Sequence, residues 1–316
     1  MTKRAFTFPG QGSQVVGMGK ELAAAFSDAK AVFEEVDAAL GESLSATMFD
    51  GPEDKLRLTE NAQPALMAVS MAVVRVLEAK GIKLADHAAY VAGHSLGEYS
   101  ALCAAGTFSL ADTARLLRTR GLAMQRAVPV GQGAMAALLG LDVPTARSVA
   151  AEASQGEVCD VANDNAPGQV VISGAIGAVE RVLEIAKSKG AKRALLLPVS
   201  APFHCSLMQP AAEAMAAALA DIDMKAPTVP LVANVLATPI ETPTDIRQRL
   251  IEQVTGVVRW TESVAWLAGA GEVTNLLELG TGKVLTGLAK RIDSNLVAAA
   301  IGTPADIEAL VAELGV

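Results

Sequence analysis

The run Gly93-His94-Ser95-Leu96-Gly97 spaces a glycine two residues either side of a serine. That spacing suits a strand that turns sharply into a helix and throws one hydroxyl outward. Gly93 and Gly97 would stand where a side chain collides as the chain folds back. The first helical N–H groups would point toward the exposed hydroxyl. Ser95 is therefore a candidate nucleophile. The competing reading is a serine that only caps a helix. The flanks favour the elbow, because residues 88–92 are apolar and strand-like and residues 96–105 are rich in Ala and Leu.

A serine hydroxyl is a weak nucleophile at neutral pH and needs a base beside it, normally histidine. The chain has three. His94 adjoins Ser95, and its side chain should leave the elbow in another direction. His87 precedes the strand and belongs near the opposite edge of the sheet. His204 remains, in Pro202-Phe203-His204. A helix expected over 109–126 carries Leu110, Ala114, Leu117, Gly121 and Met124 on one stripe. Arg118 and Arg120 both border that stripe, and periodicity does not choose between them. The loop Pro9-Gly10-Gln11-Gly12-Ser13-Gln14 allows close backbone approach to a ligand. It lacks both the Lys-Ser/Thr ending of a P-loop and the full Gly-x-Gly-x-x-Gly spacing, so no nucleotide site is read there.

The elements that must hold these residues read as an α/β fold. Strand 4–8 precedes the glycine-rich loop and a helix near 20–40. Residues 51–61 read as a polar connector and 63–79 as an apolar structural helix under the sheet. From 129 the order changes to strand 134–141, helix 144–153, strands 158–163 and 169–173, helix 175–189 and strand 193–199. Strand-helix-strand-strand-helix-strand is the ferredoxin-like arrangement, here expected as an insert spanning 129–198 within a core of 1–128 and 199–316. The core then resumes with helix 207–220, strand 229–234, helices 245–254 and 261–268, strand 274–279, helix 283–291, strand 296–300 and helix 304–314.

Composition agrees, with 51% hydrophobic residues but 3% aromatics, so the core is built mainly from Ala, Val, Leu and Ile. A net charge of −8 gives no electrostatic footprint for nucleic acid. The apolar runs are read as too short for a membrane span. Residues 1–10 carry no hydrophobic signal region, which implies a cytoplasmic protein. Cys103, Cys159 and Cys205 are widely spaced, so neither disulfides nor a metal site is expected.

The sequence resembles the malonyl-CoA:acyl-carrier-protein transacylases of bacterial fatty acid synthesis over essentially its whole length. The resemblance rests on Phe8 to Gln14, Gly93 to Tyr99, Arg120-Gly121 with Met124-Gln125, Asn163 with Asn165 to Val171, Pro202-Phe203-His204, and Gln253. It implies a hydrolase-like α/β core, with a mostly parallel sheet, carrying the ferredoxin-like insert. Ser95 would accept the acyl group, with His204 as its base. The N–H groups of Gln11 and Leu96 would form the oxyanion hole, and a main-chain carbonyl around Gln253 would orient the histidine. Arg120 would grip the malonyl carboxylate, with Gln11 and Asn163 also on the substrate. The implied reaction is ping-pong, from malonyl-CoA to the phosphopantetheine thiol of acyl carrier protein, with no cofactor and a monomer as the expected unit. An acidic carrier would dock on Lys187, Lys189, Lys192, Arg193, Lys283, Lys290 or Arg291. The alternatives are an esterase or thioesterase, a polyketide acyltransferase with another extender unit, which Phe203 disfavours by resemblance, and a silent carrier-binding module.

Overall fold

The computed structural model describes residues 2–315. Its strands are β1 Arg4–Phe8, β2 Tyr90–Gly93, β3 Gly133–Leu139, β4 Cys159–Ala166, β5 Gln169–Ala175, β6 Arg193–Leu196, β7 Leu231–Val232, β8 Pro239–Ile240, β9 Val258–Arg259, β10 Asn275–Leu279 and β11 Val297–Ile301. The larger sheet has the order β11-β10-β1-β2-β7-β8, parallel except for the last strand. Its central strands are short apolar runs because helices cover both faces. β1 and β2 pair in parallel, so the loops that follow them leave from the same end of the sheet. The Gln11 loop and the elbow both emerge there.

The smaller sheet has the order β6-β3-β5-β4-β9. Four of its strands come from one stretch of chain and pair antiparallel. The fifth, β9, arrives from the C-terminal half and pairs parallel with β4 at Asn163 and Asp164. Two residues are too few for a strand pattern, and the sequence reading contains no such strand. The register of β4 shifts around Asn163 and again before Ala166. Such bulges re-aim side chains next to sites.

Three helix expectations change. The helix near 20–40 is two, Lys20–Ala25 and Ser27–Leu40, because Phe26 is extended (φ −132°, ψ 124°). The polar connector contains a short helix, Glu53–Arg57. The apolar helix begins a turn earlier than expected, at Thr59, with Pro64 inside it. Proline favours first turns, which is why the sequence suggests a later start. Thr59 and Asn61 are buried in the added turn, and so is Gln63 just after it. By length and composition Thr59–Ala79 would suffice to cross a membrane, contrary to the expectation that the apolar runs fall short, yet 83% of its apolar window lies inside the protein. It packs against both Ser27–Leu40 and Leu110–Ala127, which also touch each other.

Gly121 sets how closely Leu110–Ala127 approaches Thr59–Ala79. A Cβ there would lie 2.5 Å from the Glu60 Cα and 2.7 Å from its N. Since that neighbour is backbone, it cannot rotate away. Gly121→Ala is expected to cost about 1–3 kcal/mol through overpacking, read as a lower urea midpoint at unchanged m value. An unaltered midpoint would show that the two helices separate freely.

Candidate active site

At the elbow, β2 ends at Gly93 and the helix Gly97–Ala104 follows. A Cβ on Gly93 would sit 2.0 Å from the Gly97 carbonyl, and one on Gly97 would sit 2.2 Å from the Phe8 oxygen. No side chain fits at either position. Ser95 itself takes φ 53°, the left-handed region, which costs a non-glycine residue about 1–3 kcal/mol. Three contacts hold it there. The Ser95 N–H donates to Asn234 Oδ1 at 2.8 Å, Asn234 Nδ2 donates to the Gly93 carbonyl at 2.7 Å, and Gln253 Nε2 donates to the Ser95 carbonyl at 2.9 Å.

His204 also has positive φ, 58°. Its Nδ1 faces two carbonyl oxygens, Gln253 at 2.9 Å and Gly256 at 3.2 Å. Both are acceptors, so Nδ1 carries the hydrogen and Nε2 is left as the acceptor for the Ser95 hydroxyl, 2.7 Å away. Burial, then the nearby Arg120 charge, holds the imidazole down to about 3, so it is neutral at physiological pH. His94 turns elsewhere, as expected. Its Nε2 meets Asn165 Oδ1 at 2.8 Å, its ring lies against Trp260, and burial lowers its pKa. His87 ends the helix Leu84–His87, at the far end of β2 from Ser95.

The structure also separates the two arginines. Arg118 donates to Asn61 and forms an ion pair with Glu42. Arg120 points inward and is 2% exposed. Its Nη1 donates to Gln63 Oε1 at 2.7 Å, and its Nη2 to Gln253 Oε1 at 2.7 Å and Ser95 Oγ at 3.1 Å. Every acceptor is neutral, and Arg120 has no ion-pair partner among the described residues. Burial lowers its pKa, opposed by Tyr99 and Glu98.

These groups line a cavity of about 370 Å³, to which Gln11, Leu96, Asn163 and Phe203 also contribute. The Gln11 and Leu96 N–H groups donate to no acceptor among the described residues. The Gln11 loop is tied to Arg120 through side chains. Gln63 Nε2 donates to Thr59 Oγ1 at 2.8 Å, and that hydroxyl donates to Gln11 Oε1 at 2.9 Å. Ser95, His204, Arg120, Gln11, Leu96 and Asn163 all line the cavity, whereas Gln253 is fully buried and meets Arg120 and His204 from behind. Sequence reasoning overlooks Gln63, Thr59, Asn234 and Glu98. Thr59 falls in the segment read as a polar connector and Gln63 in the helix read as structural, and Glu98 lies inside the elbow motif without a role.

A hydroxyl with a neutral imidazole, an elbow and free N–H groups make this cavity a candidate acyl-group site on an α/β fold. The acyl transferase domain profile matches residues 5–271, and the chain belongs to that family. It is 49% identical over 310 residues to the malonyl CoA-acyl carrier protein transacylase of Escherichia coli (strain K12), covering 98% of this chain and 99% of the relative. The crystal structure of acyl-carrier-protein-S-malonyltransferase from Bartonella henselae superposes with a TM-score of 0.97 at 58% identity, covering all of both chains. A malonyl-transacylase solved in complex with its type II PKS acyl-carrier protein gives 0.95 at 44% identity, over 99% of this chain and 100% of that one. The first two carry the name of the family that the sequence motifs resemble.

The desolvated imidazole predicts an unusual pH profile. A histidine at its ordinary 6.5 would lose about ten-fold in reactivity at one pH unit below that value. Ser95 is expected to react with an activated ester, such as p-nitrophenyl acetate, at a rate nearly constant down to about pH 5. The same group is protonated in the unfolded chain but not in the folded one between about 3 and 6.5. Stability from this site therefore falls as pH falls through that window. A rate that titrates near 6.5 would show the imidazole to be solvated.

Proposed function

We propose that the chain transfers malonyl from malonyl-CoA to the phosphopantetheine thiol of acyl carrier protein, supplying fatty acid elongation. The observation that carries this reading is Arg120, a buried cation with only neutral partners, 3.1 Å from the candidate nucleophile. A buried guanidinium is strongly destabilised without an anion, and a carboxylate on the acyl group would supply one through two parallel charge-assisted hydrogen bonds.

In the proposed first half-reaction Ser95 Oγ attacks the thioester carbon while its proton passes to His204 Nε2. The Gln11 and Leu96 N–H groups meet the oxyanion. Collapse breaks the carbon–sulfur bond, and CoA leaves with the proton from His204. The carrier thiol then gives its proton to His204, attacks malonyl-Ser95, and regenerates the serine. The Gln253 carbonyl keeps the imidazole hydrogen on Nδ1 throughout, and Asn163 contacts the substrate. No step calls for a cofactor.

We also infer that residues 129–198 form a ferredoxin-like insert, supported by the antiparallel order β6-β3-β5-β4, in a hydrolase-like core of 1–128 and 199–316. A cytoplasmic setting goes with this reading. Of the basic candidates for carrier docking, Lys187 and Lys189 are already paired with Glu184 and Glu152, and Arg291 donates to Gln169. Lys192, Arg193, Lys283 and Lys290 have no ion pair among the described residues and are the better candidates. Opposite-charge steering is screened by salt, so transfer to the carrier should weaken with ionic strength more than acylation by malonyl-CoA. Equal salt sensitivity of the two half-reactions would remove this docking proposal.

Mass spectrometry after mixing with malonyl-CoA should show one malonyl adduct on Ser95, absent in Ser95→Ala. Release of free malonate without carrier protein would favour the hydrolase reading instead. Arg120→Ala should slow malonyl acylation by the loss of about 2–5 kcal/mol, or roughly 30- to several thousand-fold, and spare acetyl-CoA. Arg118→Ala should leave the malonyl preference intact. A preference lost in the Arg118 variant and kept in the Arg120 variant would overturn the assignment.

A further inference from the structure

Glu98 is the one carboxylate in the elbow motif, and it is buried, at 1% exposed. It forms no ion pair among the described residues. Both its oxygens accept from neutral donors. The Asn234 main-chain N–H donates to Oε1 at 3.2 Å, and Gln253 Nε2 donates to Oε2. The Gln253 amide therefore has a fixed orientation. Its NH2 faces Glu98 and the Ser95 carbonyl, and its oxygen faces Arg120 Nη2 at 2.7 Å.

We propose that Glu98 is a positioning residue for acyl-group selection: by accepting from Gln253 it turns the amide oxygen toward Arg120, and so aims the guanidinium at the acyl carboxylate. This rests on the reading of Arg120 given above. Burial raises Glu98 to about 7, opposed by the hydrogen bonds from Gln253 and Asn234 and by the Arg120 charge. The ionised form is the one complementary to two donors. A protonated carboxyl would set an O–H against one of them.

The isosteric change Glu98→Gln isolates this role. Glutamine has one carbonyl oxygen and one NH2, so it satisfies only one of the two donors. The Asn234 N–H is fixed by the backbone, whereas the Gln253 amide can rotate. The conflict therefore resolves at Gln253, whose NH2 swings toward Arg120 and sets donor against donor. The guanidinium loses its aim, while the Gln253 main-chain carbonyl, which holds His204, stays where it is. The rotation also takes the Gln253 NH2 from the Ser95 carbonyl, a loss common to both substrates, so malonyl transfer should suffer more than acetyl transfer.

The test is single-turnover acylation by malonyl-CoA and by acetyl-CoA, at about pH 8 to keep Glu98 ionised. Wild type, Glu98→Gln, Arg120→Ala and the double variant are compared. Glu98→Gln should lower the malonyl-to-acetyl ratio about ten-fold or more, and the effect should vanish in the Arg120→Ala background. An unchanged ratio, an equal loss for both substrates, or a full effect without Arg120 would each overturn the proposal. If Arg120→Ala alone keeps the wild-type ratio, the reading of Arg120 fails and this proposal fails with it. If Glu98→Gln does not fold, Gln253→Met replaces it, since it removes both ends of the relay and keeps the main-chain carbonyl. The same fall in ratio is expected, and an unchanged ratio overturns the proposal.

Discussion

The molecule is arranged around one buried positive charge. Taking a guanidinium out of water costs several kcal/mol even after relaxation, and a carboxylate partner is the usual remedy. Arg120 has two glutamine oxygens and a serine hydroxyl instead. The acceptors come from separate parts of the chain, the helix Thr59–Ala79, the elbow and the end of the helix Pro243–Gln253. Each must be brought to within hydrogen-bond distance by the packing of the whole core. A resident carboxylate would stabilise the fold more simply, but it would compete with any anionic acyl group entering the cavity. Neutral acceptors hold the geometry, and the buried Glu98 carboxylate is linked to Arg120 only through the Gln253 amide, which leaves the guanidinium without a direct ion pair.

The elbow is a second constraint of the same kind, stored in the backbone. Ser95 and His204 both take positive φ without being glycine, and such conformations persist only where the surroundings over-determine them. At Ser95 these surroundings are Asn234 on one side and Gln253 on the other. Because Gln253 also bonds Arg120, the strained Ser95 and the buried cation are held by one residue. Local strain and long-range packing are thus balanced through a shared side chain.

This explains what the sequence shows and what it conceals. The elbow is legible because its glycines answer to steric clashes a few residues away. The closing helix, Pro304–Leu314, matches its expected span because its cap is local, with Thr303 and Asp306 bonding each other's backbone. Ser95, His204 and Arg120 are brought together as expected, although it takes the structure to separate Arg120 from Arg118 by their partners. Gln63, Asn234 and Glu98 escape sequence reasoning because their partners lie 57, 139 and 155 residues away. Neither periodicity nor spacing reports such contacts. The strand β9 and the break at Phe26 are likewise tertiary outcomes, in segments too short to carry a pattern.

The same logic accounts for a histidine held without an acidic side chain. The last carbonyls of a helix have no intrahelical acceptor role left to fill, and Gln253 ends the helix Pro243–Gln253. Its main-chain oxygen is therefore free to accept from His204 Nδ1. The helix C-terminus carries partial negative charge, which favours an imidazolium by about 0.3–2 kcal/mol. A full carboxylate would favour it more, but in a crevice that already holds Arg120 it would draw the guanidinium away from the acyl site. A helix end supplies orientation and a modest charge, which in the proposed mechanism steadies the imidazole as it takes the serine proton while leaving Arg120 unpaired. Gln253 thus serves the base through its backbone and the cation through its side chain, which makes its fixed orientation matter to both.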